Sequence, residues 1–151
     1  MFSYGYSQVF FNTKLIRPLF NSKVKFFKYL GILMRKISLA LYKCDIDPNA
    51  KIPKSTRFTH YIGIVIGPCE IGENCTIVQN TTLGRKSDEK NEYPKVGDNV
   101  TIGAGSCLLG AIKVGNNSVI GAGTVVVKDV PENSVVVGNP AKVIKRINHG
   151  K

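Results

Sequence analysis

The sequence predicts a mainly β chain wound as a left-handed parallel β-helix behind a short N-terminal helical segment. Three observations lead there: a six-residue apolar repeat, the small residues that flank it, and a change of composition after residue 44. The repeat runs through Ile46, Ile52, Phe58 and Ile64, then Ile71, Ile77 and Leu83, then Val96, Ile102, Leu108, Val114, Ile120 and Val126. A period of six matches neither the 3.6-residue turn of a helix nor the two-residue alternation of a simple strand. It suits a triangular prism with short strands as its flat sides, one inward residue per hexad and three hexads per coil. Small and turn-forming residues surround the inward positions, as in Ile102-Gly103-Ala104-Gly105-Ser106 and Ile120-Gly121-Ala122-Gly123-Thr124. Glycine there permits positive φ at the corners.

Three segments are expected: 1–44, a basic amphipathic helical cap; 45–130, the coil, with a loop at 85–95; and 131–151, a turn and basic tail. Residues 1–44 carry Lys14, Arg17, Lys23, Lys25, Lys28, Arg35, Lys36 and Lys43 with no acid, so they supply +8 of the net charge of +11, and they hold ten of the thirteen aromatics. Leu30, Leu33, Ile37 and Leu41 repeat at helical spacing, and Pro18 separates this helix from an earlier element. Such a helix serves either to cover the open end of the coil or to lie on an anionic membrane surface. Within the coil the step from Ile64 to Ile71 is seven residues, and that from Leu83 to Val96 is thirteen. The longer interruption holds the polar run Arg85 to Glu92, a loop outside the prism of the sort where binding residues gather. Gly138-Asn139-Pro140 mark a turn before Lys142, Lys145 and Arg146.

Composition excludes several classes. No nucleic-acid-binding module accompanies the positive charge, so no nucleic-acid partner is expected. No apolar run approaches the roughly 20 residues that span a bilayer, and the N-terminus lacks a signal-peptide pattern. The chain is therefore expected in the cytoplasm, with the inner membrane surface as the place where a basic N-terminus would hold it. Cys44, Cys69, Cys75 and Cys107 form no C-x-x-C pair and read as reduced thiols, with no metal site.

Of two histidines, His149 lies near the C-terminus, which leaves His60 as the candidate general base. It stands two residues beyond the inward Phe58, so its side chain is expected outside the shaft at a coil corner. Asp45 precedes it by fifteen residues, three short of an eighteen-residue coil. With coils spaced about 4.8 Å apart, Asp45 is expected to accept the Nδ1 hydrogen of His60 and fix its tautomer.

Asp45-Ile46-Asp47-Pro48 with His60 fifteen residues on, followed by Gly63-Ile64-Val65-Ile66-Gly67, resembles the catalytic segment of serine acetyltransferases of the hexapeptide-repeat acyltransferase class. Thr82-Leu83-Gly84, Pro94-Lys95-Val96-Gly97-Asp98, Lys128-Asp129-Val130-Pro131 and Gly138-Asn139-Pro140-Ala141-Lys142 continue the similarity over residues 45–146. The resemblance implies acetyl-CoA as donor, His60 as base, Asp45 as its partner, and a homotrimer with active sites between neighbouring coils. CoA is then expected against Gly84, Ala104 and Ala122, whose lack of bulk admits a pantetheine arm. Lys128, Lys142 or Arg146 would meet its phosphates, unless these are only a solvated basic tail.

The chain departs from that family where serine would be held. Glu92-Tyr93 stand in place of the Arg-His that the resemblance assigns to the carboxylate of serine, and Thr59 in place of the Asp assigned to its amino group. The N-terminal segment is also short. Arg57-Phe58-Thr59-His60 and Asn80-Thr81-Thr82-Leu83-Gly84 resemble stretches of sugar O-acetyltransferases from surface-polysaccharide pathways. The expectation from these departures is direct acetyl transfer to a hydroxyl of a carbohydrate, nucleotide-linked or lipid-linked, with Asn80, Glu92 and Tyr93 as contacts. Serine O-acetylation is the first alternative, and a non-catalytic β-helix scaffold is the second.

Overall fold

The computed structural model describes residues 16–87 and 92–147. Thirteen of the fourteen short strands among these residues stack into a three-sided coil of parallel strands. Face one stacks β1 (Asp45–Ile46), β3 (Val65–Ile66), β6 (Thr82–Gly84), β9 (Cys107–Leu109) and β12 (Val125–Val126). Face two stacks β4 (Glu70–Ile71), β7 (Lys95–Val96) and β10 (Lys113–Val114). Face three stacks β2 (Arg57–Thr59), β5 (Thr76–Val78), β8 (Thr101–Ile102), β11 (Val119–Ile120) and β13 (Ser134–Val137), and β14 (Lys142–Arg146) folds back antiparallel on β13. That return pairs what would otherwise be an open sheet edge.

Each of β1 to β13 sends one apolar residue into the shaft, whereas β14 is exposed along its length. Ile46, Ile66, Leu83, Leu108 and Val126 fill it from face one, Ile71, Val96 and Val114 from face two, and Phe58, Ile77, Ile102, Ile120 and Val136 from face three, all buried. Stacking thirteen such side chains in one column gives a short-stranded chain its hydrophobic core, at roughly 1.5–3 kcal/mol per fully buried large aliphatic. One outer edge is a ladder of asparagines: Asn74, Asn99, Asn117 and Asn133 all have positive φ at the corner from face two to face three. Asn99 donates to Asn117 at 3.2 Å, and Asn117 to Asn133 at 3.1 Å. Asparagine tolerates the left-handed conformation, so it can turn the corner and still bond to the next coil.

The register differs from the simple hexad count at three places. Ile46 pairs with Ile66, twenty residues later, and not with the expected Ile64 at eighteen. The extra two residues fall between β2 and β3, where His60 (φ 53°) and Gly63 (φ 71°) take left-handed conformations, and Ile64 is buried beside the shaft residue instead of replacing it. Leu83 pairs with Leu108, twenty-five residues later, because the polar loop lies between β6 and β7. At the far end Val135 and Val136 pair in parallel with Val119 and Ile120, so the coil continues past the expected boundary at residue 130.

Ahead of the coil, α1 (Arg17–Phe20) and α2 (Lys25–Tyr42) touch its first turn. Asn21 Nδ2 donates to Asn49 Oδ1 at 2.8 Å, and the guanidinium of Arg35 on α2 reaches Asp45. Gly31, on the side of α2 near Arg35, is buried, whereas Leu33 and Ile37 of the expected apolar stripe are exposed together with Phe26 and Tyr29. The helix therefore turns its Gly31/Arg35 side inward and Leu33 and Ile37 outward, with Leu30 half-buried. Among the described residues no helix is long and apolar enough to cross a membrane.

Candidate active site

His60 sits at the lengthened corner between faces three and one, exposed to solvent. The corner is tied to both neighbouring coils: Gly63 N–H donates to the Lys43 carbonyl at 2.9 Å, and Asn80 N–H donates to the Ile62 carbonyl at 2.9 Å. Asn80, itself left-handed with φ 56°, is thus stacked on the His60 corner one coil on. Ala104 and Ala122 occupy the same edge in the next two coils, beside Gly105 (φ 68°) and Gly123 (φ 66°). A Cβ built on either glycine would meet nothing within 4 Å, so the edge beyond Asn80 is an open strip of small residues. His60, Asn80, Ala104 and Ala122 are brought together here.

Asp45 opens β1 immediately below this corner, and its N–H donates to the Ile64 carbonyl at 2.8 Å. Its half-buried carboxylate is engaged by a residue that sequence inspection did not single out. Arg35 Nε and Nη2 both donate to Asp45 Oδ1, at 3.2 and 2.8 Å. His60 makes no hydrogen bond or ion pair among the described residues, so the expected Asp45–His60 bond is not formed here. Arg35 lies on a helix outside the repeat, and the hexad pattern that exposes the coil is blind to it.

Gly84, Glu92, Tyr93 and Lys128 gather on a different edge, from face one to face two. Lys86, Glu92, Gly110, Lys128 and Asp129 line a cavity of about 360 Å³ there. Lys128 also lines an adjoining cavity of about 230 Å³ with Val130, Val136, Ala141, Lys142 and Val143. Asp129 lines both cavities as well, with its Oδ1 accepting from Lys113 N–H at 2.8 Å, and two ammonium groups beside an apolar wall suit a ligand that joins phosphates to apolar and aromatic parts. Arg146 is turned elsewhere, its Nη1 donating to the Glu132 carbonyl at 3.2 Å. The Tyr93 ring packs on Gly67, where an added Cβ would fall 2.4 Å from it. A Cβ on Gly84 would instead find ordinary contacts at 3.7 and 3.8 Å, so internal packing does not require glycine at that position.

Against this geometry, residues 93–128 match the family "Bacterial transferase hexapeptide (six repeats)". The chain is 47% identical over 119 residues to serine acetyltransferase 1, chloroplastic, of Arabidopsis thaliana, covering 78% of this chain and 38% of the relative. It is 42% identical over 135 residues to the serine acetyltransferase of Staphylococcus aureus, covering 87% of this chain and 62% of the relative. Among solved structures, serine acetyltransferase from Neisseria gonorrhoeae superposes with a TM-score of 0.83 at 33% identity, covering 94% of this chain and 55% of that one. The Brucella abortus serine acetyltransferase in complex with coenzyme A gives 0.81 at 32% identity, covering 91% of this chain and 54% of that one. The chain thus spans between 38% and 62% of the length of these relatives.

These relatives overturn the expectation of a sugar acceptor and of a role in polysaccharide synthesis. Both sequence relatives act on serine by name, at 42–47% identity. The expectation leaned on the charge of Glu92, taken as repelling a carboxylate. In the folded chain Glu92 shares its cavity with Lys86, Lys128 and Asp129, so two cations offset the two carboxylates and the charge of Glu92 alone does not exclude an anionic acceptor.

Proposed function

Because residues 93–128 match a hexapeptide transferase family and the chain is 42–47% identical to serine acetyltransferases, we propose that it is an acetyl-CoA-dependent O-acetyltransferase acting on the hydroxyl of serine. The observation that carries the reading is His60, held outward at the one corner where the coil runs to twenty residues, beside the open strip of Ala104 and Ala122. His60 takes the hydroxyl proton as the oxygen attacks the thioester carbonyl. The C–O bond forms, the C–S bond breaks, and the proton passes to the departing thiolate. Asp45 completes the pair by accepting from His60 once substrate draws the imidazole inward. Lys128 and Lys142 hold the phosphates of CoA, and its pantetheine arm runs past Gly84 and the small residues of the corner.

The candidate residues lie on two edges of one prism, which favours an active site shared between copies. We infer a homotrimer of left-handed coils in which the His60 corner of one copy faces the Glu92 and Lys128 edge of the next. The contact is head-to-tail, so three copies close a ring. It would cover Ile62 and Val65, which are 62% and 44% exposed in the single chain. Light scattering should give three times the 16.5 kDa of one chain.

The helical segment is read as an end cap that also touches membrane. Phe26, Tyr29, Leu33 and Ile37 are exposed along one stripe of α2, with Lys25, Lys28 and Lys36 exposed as well. No acid offsets them in residues 1–44, so an anionic bilayer complements this face whereas a second copy of it is repelled. Co-sedimentation with phosphatidylglycerol vesicles and not with phosphatidylcholine vesicles is expected. Equal binding to both, or to neither, removes the membrane contact.

Release of CoA thiol from acetyl-CoA in the presence of L-serine tests the activity. A folded, CoA-binding protein that releases none would overturn the choice of acceptor.

A further inference from the structure

We propose that Arg35 is a positioning residue for the acid-base pair: it orients the Asp45 carboxylate so that one oxygen is occupied and the other is presented to His60. The inference rests on the roles given above to Asp45 and His60. Arg35 Nε and Nη2 both converge on Oδ1, at 3.2 and 2.8 Å, and among the described residues Oδ2 has no partner. A guanidinium is a planar fork, and two of its donors converging on one oxygen anchor that oxygen and leave the second uncommitted. The pair is only partly exposed, 31% for the Arg35 side chain and 35% for that of Asp45, so water competes with it incompletely. Backbone geometry completes the frame. Asp45 N–H is bonded to Ile64 and Gly63 N–H to Lys43, so the strand of Asp45 and the corner of His60 are joined on both sides.

The arrangement gives α2 a second task besides covering the first coil. The carboxylate that serves the base is supplied by the coil, but its orientation is supplied by the helix. A carboxylate anchored by Arg35 at one oxygen has the other free to turn to the corner.

Arg35→Ala should lower kcat about tenfold, with KM for acetyl-CoA changed less than twofold, because the helix lies away from the CoA cavities. Arg35→Lys, which keeps the charge but loses the fork, should recover part of the loss. The deciding measurement is a double-mutant cycle with Asp45→Asn: once the carboxylate is gone, Arg35→Ala should have no further effect on kcat. The same fold-loss in both backgrounds, or no recovery in Arg35→Lys, would show that Arg35 only docks the helix and would overturn the proposal. Failure of the underlying reading is seen separately, as full turnover in a His60 variant.

Discussion

Gly63 and Asn80 are stacked so closely across two coils that a Cβ on Gly63 would fall 2.1 Å from Asn80 Oδ1. This contact sets the height at which the His60 corner rides on the next coil, and both residues reach it through left-handed backbone. Gly63→Ala meets a steric and a conformational penalty together, and should cost about 1–3 kcal/mol of stability. Asn80→Gly in the same chain removes the colliding side chain and tolerates the positive φ, so chemical denaturation of the double variant should show a partial recovery. Loss of equal size in single and double variants would place the cost in φ alone.

His60 is exposed, so replacing it tests chemistry with little disturbance of packing. Its φ of 53° makes asparagine the better substitute, since asparagine accepts that conformation without a strained corner. His60→Asn should reduce turnover by roughly a hundredfold or more and leave CoA affinity and melting temperature unchanged. Turnover within twofold of the parent would remove His60 as the base.

Lys128 lines both cavities, whereas Lys142 lines only the smaller. Alanine at either should raise KM for acetyl-CoA, about five- to tenfold, with kcat nearly constant, as expected when a charge-assisted phosphate bond is lost. The effect should shrink at high ionic strength. Arg146→Ala should leave KM unchanged, because its guanidinium is committed to Glu132.

Burial pushes the Cys44 thiol up to about 12, with the nearby Asp45 adding to the shift, and burial likewise pushes Cys69 up to about 12. In the unfolded chain both ionise near 9, so a pKa raised by folding gives stability that is complete below pH 9 and is lost as pH rises from 9 towards 12. Urea midpoints at pH 7.5 and pH 10.5 should therefore differ, with the alkaline one lower. Alanine at both positions should flatten that decline, and an undiminished decline would assign it to other groups.

The sequence by itself determined the coil, because one inward residue per side leaves a repeat that survives without knowledge of any contact. Val96 through Val126 keep their hexad spacing in both sequence and structure, and His60, two residues past Phe58, is at a corner as its position implies. Identity at the loop misled about the acceptor, since charge read along the loop omits Lys128, which meets Glu92 only in the fold. Tertiary structure alone decided where the repeat breaks at the site. Ile66 displaces Ile64 as the shaft residue because strand pairing with Ile46 outweighs a regular count, and the surplus residues become the corner that carries His60. It also decided the partner of Asp45. The Arg35 guanidinium arrives from a helix whose Leu33 and Ile37 point to solvent, and an ion pair between a helix and a coil leaves no periodic trace in the chain.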